Sequence, residues 1–451
     1  MKIKKKLSYS ILVVIILISC TQAQQDNNNT LNQHEIQGWL DEYNVPAVGI
    51  GIIKDGKLSH CKVFGKSRNG IPANDSTIFT IASITKTITT MVTLKLVDSG
   101  QWDLDKPLYK YWIDPDIVGD NRHKNLTTRH VLSHQSGLPN WRSDLDSKKL
   151  EFLFEPGTKY SYSGEGFEYL RKSLEHRFHK SLAELSDSIL FRPLKMNDSK
   201  FCWKESIDDT RFAFRHDGNG VEYRNQGGMK TSAASGLLTT VKDFSKFGLY
   251  VINQAGLSTK LYSEMIKTQA TIKKNYDQGL GWQIIRNLPN NEYAIFHEGG
   301  EWGVSAVAVF LPESKQGIIV FTNSDNGNEI YMKVLQTYLN VGKEIIVVLN
   351  GMSYNPEEIN IIQVADSILT TYTGSYFIKS FQMSVKITHE NGLLKLVSPY
   401  STMVLYAETE TKFFLKDDDL KIEFIINENK ETIGIMVIYK GAEPEFAKRI
   451  E

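Results

Sequence analysis

The sequence is short of sulfur: it has three cysteines in 451 residues and no C-x-x-C pair, so neither a disulfide framework nor a thiol-redox motif is available. Cys20 falls in the N-terminal leader, and Cys61 and Cys202 are read as two buried free thiols, with one disulfide between them left open. An excess of charge of one sign is also missing. The 52 basic and 52 acidic side chains cancel, and no long block of either sign occurs in the body of the chain. Nothing electrostatic therefore points to nucleic acid as a partner. No G-x-S-x-G elbow occurs, which argues against an α/β-hydrolase. No internal repeat at solenoid spacing occurs either. The composition, 41% hydrophobic and 11% aromatic, is that of a globular chain long enough for a large domain plus a smaller one.

The longest apolar run near the start, Ile11 to Ile18 after four lysines, is shorter than the ~20 residues of a spanning helix. Residues 1–23 read as a secretory signal, and the protein is expected to be exported to the periplasm or cell envelope. "LISC" resembles a lipoprotein box, which would make Cys20 the acylated first residue and a membrane attachment. "TQA", ending at Ala23, looks instead like an ordinary cleavage site; the lipoprotein box is the preferred reading. The asparagine-rich "TQAQQDNNNT" would then be a tether too polar to fold.

Beyond the tether, "VPAVGIGIIKDGKLSHCKVFG" predicts two strands around an Asp55-Gly56 turn. Helical patterns dominate the middle: "TTRHVLSHQSGLP" predicts a short helix with a threonine cap and Gly137 at its end, and "EGFEYLRKSLEHRFHKSLAELSDSIL" predicts one or two more. Strand patterns return in "YAIFHEGG" and "VSAVAVFLPESKQGIIVFTNS". These features predict an α+β domain over residues 31–345, with one antiparallel sheet built from both ends of the unit and a helical region between. Residues 346–364 read as a connector. Short strands with turns at Asn391-Gly392 and Asp417 to Asp419 then predict a small all-β domain over residues 365–451, a sandwich or barrel.

The stretch "TIFTIASITKTITTMVTLKLVDSG", residues 77–100, is too apolar and too β-branched for an exposed helix, yet it carries Ser83 and Lys86. Ile84, Ile88, Met91, Val92 and Leu96 recur at helical spacing with Gly100 as a stop, which predicts a helix from Ile81 to Asp98. A lysine three positions after a serine lies on the same helix face. Burial among Ile81, Ile84 and Ile88 would favour its neutral form, and a neutral amine can take the serine proton. Ser83 at the helix start would also sit near the positive end of the helix dipole. S-x-x-K alone is a weak pattern, and it occurs twice: Ser59 and Lys62 lie in a predicted strand, where an offset of three sends side chains to opposite faces.

Other residues strengthen the first copy. "PGTKYSYSGEGFEYL" supplies Tyr162 and "YAIFHEGGEWG" supplies His297, in the order of the second and third motifs of the serine β-lactamase and penicillin-binding protein family. The chain resembles the branch with class C β-lactamases, D-amino-acid peptidases and related carboxylesterases. "WDLDKPLYKYW", "HVLSHQSGLPNW", "AASGLLTTVKDF" and "YDQGLGW" also look like family segments in family order, and the resemblance covers roughly residues 31 to 345. It implies a β-lactamase/transpeptidase-like fold followed by a domain that resembles an appended lipocalin-like barrel, which would cover or shape the active site or bind a partner.

The resemblance implies Ser83 as acylated nucleophile, Lys86 as general base and Tyr162 as a partner in proton transfer. The N–H groups of Ser83 and Gly300 would form the oxyanion hole. His297 would lie on the strand edge along the substrate, and Gly164 and Gly299 would border the substrate. No metal or cofactor is implied. Two positions depart from the pattern. Gly164 stands where β-lactamases of this branch usually have asparagine, and His297 where β-lactam-binding members usually have lysine, so a permanent cation becomes a mostly neutral group. The expected activity is hydrolysis of a peptide, amide or ester, a small-molecule or peptide substrate of the D-amino-acid peptidase, carboxypeptidase or esterase type, through an acyl-enzyme. A true β-lactamase, and a non-catalytic sensor or surface binding module, are the alternatives. His130 and His134 have the spacing of a zinc helix but lack the glutamate of H-E-x-x-H, and a structural role is expected of them. His176 and His179 are expected on a solvated helix face.

Overall fold

The computed structural model describes residues 31–68, 70–201, 208–224, 226, 231–351, 362–380, 383–390, 392–398, 402–415, 420–439 and 443–450. The leader with Cys20, the tether, Cys202, Asn391 and the turn at 417–419 lie outside the described residues, as do residues 352–361 of the expected connector. Contacts divide the chain into two units. The first holds most of the chain as far as Asn340, and the second runs from Val341 onward with residues 271–277 and 285–292.

The first unit opens with helix α1 (Gln33–Glu42), capped by the Asn32 side chain, which accepts from Glu35 N. Strands β1 (Ala47–Lys54) and β2 (Lys57–Arg68) form the expected hairpin. Asp55 and Gly56 both have positive φ, 50° and 69°, as a two-residue turn that follows the strand twist requires. Strands β3 (Glu292–Glu301), β4 (Val304–Leu311) and β5 (Gln316–Thr322) return much later in the chain. In a nine-stranded sheet these five neighbours run β2-β1-β5-β4-β3, every pair antiparallel. Val48 of β1 pairs with Thr322 of β5, so the two ends of the unit meet at the middle of the sheet. Strand β5 is buried on successive residues, Ile318 to Phe321, and reads as a continuous apolar run because both of its faces are covered. Cys61 of β2 is half-buried rather than buried, and burial pushes its thiol up to about 11.

Helix α2 (Thr85–Asp98) is preceded by a 3-10 turn over Ala82–Ile84. Residues Thr85 to Leu94 are all buried, which explains a helix that is apolar and β-branched around its whole circumference. Three of its threonines satisfy their hydroxyls locally or on a neighbouring segment: Thr87 donates to Ile84 O (2.8 Å), Thr93 to Thr89 O (2.8 Å) and Thr89 to Ala233 O (2.9 Å). Helix α3 (Thr128–Leu132) has the predicted threonine cap, Thr127, but is only five residues long. It stops at Ser133 rather than at Gly137, because His134 takes a left-handed φ of 54° and turns the chain first. Helix α4 (Gly164–Phe178) ends at His179, also left-handed at φ 52°, and His176 and His179 are both exposed. A short capped helix over Leu182–Ser186 follows. Helix α5 (Val241–Ile252) packs against β1, β2 and β5, and α6 (Gly327–Tyr338) against β4 and β5.

The second unit begins with helix α7 (Gly342–Leu349), so residues 346–349 of the expected connector are helical. Eight strands follow: β6 (Gly374–Ile378), β7 (Met383–Glu390), β8 (Leu393–Val397), β9 (Thr402–Ala407), β10 (Lys412–Leu415), β11 (Leu420–Ile426), β12 (Thr432–Tyr439) and β13 (Glu445–Lys448). They pair in chain order as an antiparallel meander. A bridge between Tyr376 and Arg449, with Ile450 N donating to Ser375 O at 2.9 Å, nearly closes it into a barrel. Alternate side chains such as Ile387, Leu394, Phe413, Ile422 and Ile435 fill the interior, as the period of two in a strand demands.

One buried amide ties the first unit's sheet to its loops. Asn323, directly after β5, accepts from Ala47 N (2.8 Å) and donates to Phe214 O (2.9 Å) and Ser67 O (3.3 Å). Asn323→Ala is expected to lower the unfolding free energy of the first unit by about 2–4 kcal/mol, because backbone groups at a buried position lose their partner. Urea unfolding followed by tryptophan fluorescence checks this.

Candidate active site

The chain around Ser83 is bent by its own backbone. Ala82 has φ 43°, a value uncommon for a residue with a Cβ, and this turn sets Ser83 immediately before α2. Lys86 follows on the second position of α2 with no solvent exposure. Its Nζ lies 3.1 Å from Ser83 Oγ and donates to Ala234 O at 2.9 Å. The amine also sits 4.8 Å from the Tyr162 ring centroid and 5.7 Å from that of Phe167. Burial pulls its pKa down from 10.5 to about 7, and the negative charge of Glu168 opposes that fall. The predicted pair is therefore in contact, while Ser59 and Lys62 are both exposed on β2.

Tyr162 stands one residue before Ser163, the N-cap of α4. The cap is doubly used, since Ser163 Oγ accepts from Gly166 N (2.9 Å) and donates to Pro139 O (2.7 Å). Burial pushes the pKa of the Tyr162 hydroxyl above the ordinary tyrosine value, and the neighbouring Ser83 side chain opposes that rise. Tyr162 is thus a phenol, not a phenolate, at neutral pH.

His297 comes from β3, with its ring centroid 6.4 Å from that of Tyr162. Burial and the nearby Lys86 pull its pKa down to about 3. Its Nδ1 lies 2.6 Å from Glu298 O, and a carbonyl can only accept, so Nδ1 carries the proton and Nε2 keeps a lone pair. Glu298 points away from this cluster and accepts from Tyr331 OH at 2.7 Å. Gly299 is required by close approach, because a Cβ there would lie 2.3 Å from Ile81 O. That approach seats β3 against the backbone two residues before Ser83. Gly300 faces open space, with nothing within 4 Å of a Cβ built on it.

Two residues behind the cluster carried no usable signal in the sequence. His134, expected to be structural, is buried; its Nδ1 accepts from Ser163 N (3.1 Å) and its ring stacks on Tyr162 with centroids 4.2 Å apart. Its carbonyl also accepts from Ser161 N at 2.7 Å. Burial, with Lys86 and His297 nearby, holds its pKa well below the usual histidine value, so the ring stays neutral and can accept. Glu168 Oε1 accepts from Ser232 Oγ (2.7 Å) and Ala234 N (3.3 Å), which fixes the segment whose carbonyl holds Lys86. His130 is half-buried, and among the described residues no group of three or more His, Cys, Asp or Glu side chains is placed to hold a metal ion. A surface groove of about 800 Å³ lined by Trp102, Arg129, Lys260 and Glu264 includes none of the motif residues, and Arg129 there is paired with Asp105 and Glu264.

A serine, a buried lysine, a tyrosine and a strand-borne histidine on an antiparallel sheet with a helical region define a β-lactamase/transpeptidase-like fold. The comparisons agree: the Beta-lactamase family model matches residues 31–340, and the chain belongs to that family. Penicillin-binding protein 4* of Bacillus subtilis is 23% identical over 421 residues, 84% of this chain and 89% of that protein. The octameric penicillin-binding protein homologue from Pyrococcus abyssi superposes with a TM-score of 0.60 at 22% identity, covering 93% of this chain and 100% of the other. The D-alanine carboxypeptidase AmpC from Burkholderia cenocepacia gives a TM-score of 0.58 at 20% identity, covering 71% and 99%.

If His134 holds motif two through its Nδ1, an acceptor one bond beyond Cγ is what matters. His134→Asn keeps such an acceptor and tolerates the left-handed backbone, whereas His134→Phe keeps a ring and leaves Ser163 N without a partner. The phenylalanine variant is expected to lose about 1–3 kcal/mol more stability than the asparagine variant, measured by urea unfolding.

Proposed function

We propose that the protein is an exported serine hydrolase that works through an acyl-enzyme on Ser83, on ester, amide or peptide substrates. The observation that carries this reading is the fully buried Lys86 amine, 3.1 Å from Ser83 Oγ with its pKa brought to about 7. Between two candidate bases the environment chooses: burial makes Lys86 a weaker acid-holder near neutrality and makes Tyr162 hold its proton harder.

In acylation, neutral Lys86 takes the Ser83 hydroxyl proton as Oγ bonds to the substrate carbonyl carbon. The oxyanion is met by the N–H groups of Ser83 and Gly300. Collapse breaks the bond to the leaving group, which takes a proton from Tyr162, itself reprotonated from Lys86. Water then attacks the acyl-enzyme, gives its proton back through the same pair, and releases the acid and free Ser83. Gly164 and Gly299 border the substrate through their backbone in this reading, since Trp141 and Ile81 O take up the space of their missing side chains.

His297, neutral down to about pH 3, supplies no fixed cation for a substrate carboxylate, which supports neutral esters or amides over β-lactams. The D-alanine carboxypeptidase relative supports a peptidase as the second substrate class. Among the described residues no helix is long and apolar enough to cross a membrane. Attachment to the envelope is proposed through lipidated Cys20.

The test compares residues 24–451 with their Ser83→Ala variant on an activated short-chain ester, a D-amino-acid peptide and a penicillin. Ester or peptide turnover that disappears in the variant is expected; equal background rates in both overturn the reading. For the wild-type protein, kcat/KM is expected to rise with unit slope below pH ~7 and level off above it, since the neutral amine is the active form. Lys86→Met should remove that limb together with about 2–4 orders of magnitude of rate.

A further inference from the structure

Three consecutive residues hold one aromatic ring beside the second motif. Asn140 O accepts from Gly164 N (3.1 Å) and Glu165 N (3.0 Å), and Asn140 Oδ1 also accepts from Gly164 N (3.0 Å). Arg142 donates from its backbone N and Nε to Glu165 Oε1 (3.1 and 3.2 Å), and from its guanidinium to Asp114 (2.9 Å) and Asp116 (3.0 Å). Between these two anchors, Trp141 packs on Gly164. A Cβ at residue 164 would lie 2.8 Å from Trp141 Cη2 and 2.9 Å from Cζ2, so the absence of a side chain there is what admits the indole. The ring is half-buried, with one part on the core.

Gly164 opens α4 two residues after Tyr162, so the indole packs on the segment that carries the second motif. The charges beside it are mutually satisfied, since Arg142 is paired with Asp114, Asp116 and Glu165. The indole itself therefore offers a flat apolar wall, with no unpaired cation beside it.

We propose that Trp141 is the specificity-determining wall of the acyl subsite, selecting substrates whose acyl group is flat and apolar, an arylalkanoyl ester or amide over an acetyl one. The inference rests on the acyl-enzyme reading of Ser83. Stacking on an indole rewards an aromatic acyl group and gives nothing to a methyl group.

The experiment measures kcat/KM for 4-nitrophenyl phenylacetate and 4-nitrophenyl acetate in the wild-type protein and in Trp141→Ala, Trp141→Phe and Gly164→Ala. Melting temperatures identify any variant that fails to fold. The phenylacetate-to-acetate ratio is expected to fall about tenfold in Trp141→Ala, to recover most of its value in Trp141→Phe, and to fall in Gly164→Ala as the new Cβ displaces the ring. Calorimetry with benzylboronic and methylboronic acids, which add to Ser83 Oγ without turnover, should show the same preference and the same loss. Turnover that depends on Ser83 with a ratio unmoved in every folded variant overturns the wall and leaves the hydrolase reading standing. Absence of both Ser83-dependent turnover and boronic acid binding overturns both.

Discussion

The enclosure of the Lys86 amine is the constraint on which the first unit is arranged. An ammonium inside an apolar helix is penalised by lost hydration, and the protein answers by letting the group become neutral near pH 7. The unfolded chain, with its lysine near 10.5, binds more protons than the native one between about 7 and 10.5. Stability therefore rises with pH across that window, and the penalty is present in full below about 7. The same burial that costs stability brings the amine to neutrality near pH 7, the form that the proposed general base requires. Ala234 O and Glu168 hold the amine in register: the first accepts from it, and the second fixes the segment that carries the first.

Around that one titrating group, the other polar side chains are kept in single protonation states. Tyr162 holds its proton, and His134 and His297 remain without a second one. Lys86 thus alternates between neighbours whose charges stay fixed, which suits a site where one proton is passed several times. Each fixed state traces to burial first, so the packing of α2 and β3 decides the chemistry as much as the identity of the groups.

Much of this was legible in the chain before the fold was known. The i,i+3 contact of Ser83 and Lys86 forms across the junction of the 3-10 turn and α2, and the alternating and continuous apolar runs of β1, β4 and β5 announced an antiparallel sheet built from both ends. The motif order made Tyr162 and His297 readable as partners. His134 was not readable, because its contacts with Ser161, Tyr162 and Ser163 arise only when the chain turns back after α3, and an isolated histidine near a Gly-Leu-Pro turn looks like any other. Glu168 was hidden among the charges of α4, and the left-handed backbone at Ala82 has no residue-type signature at all. The helix over Gly342–Leu349 was missed because an apolar run of that length does not distinguish helix from connector by period.

The sheet has a timetable built into its order. Strand β1 is flanked by β2, its immediate neighbour in the chain, and by β5, and Ala47 N reaches Asn323 Oδ1 across 276 positions. During synthesis the β1–β2 hairpin emerges early with the β5 side of β1 bare, an apolar edge able to pair with whatever strand it meets. Closure waits for every residue of the helical region between. The chain's exposure to misassociation is set by that wait, so its yield in a cell depends on whatever shields β1 until β5 arrives.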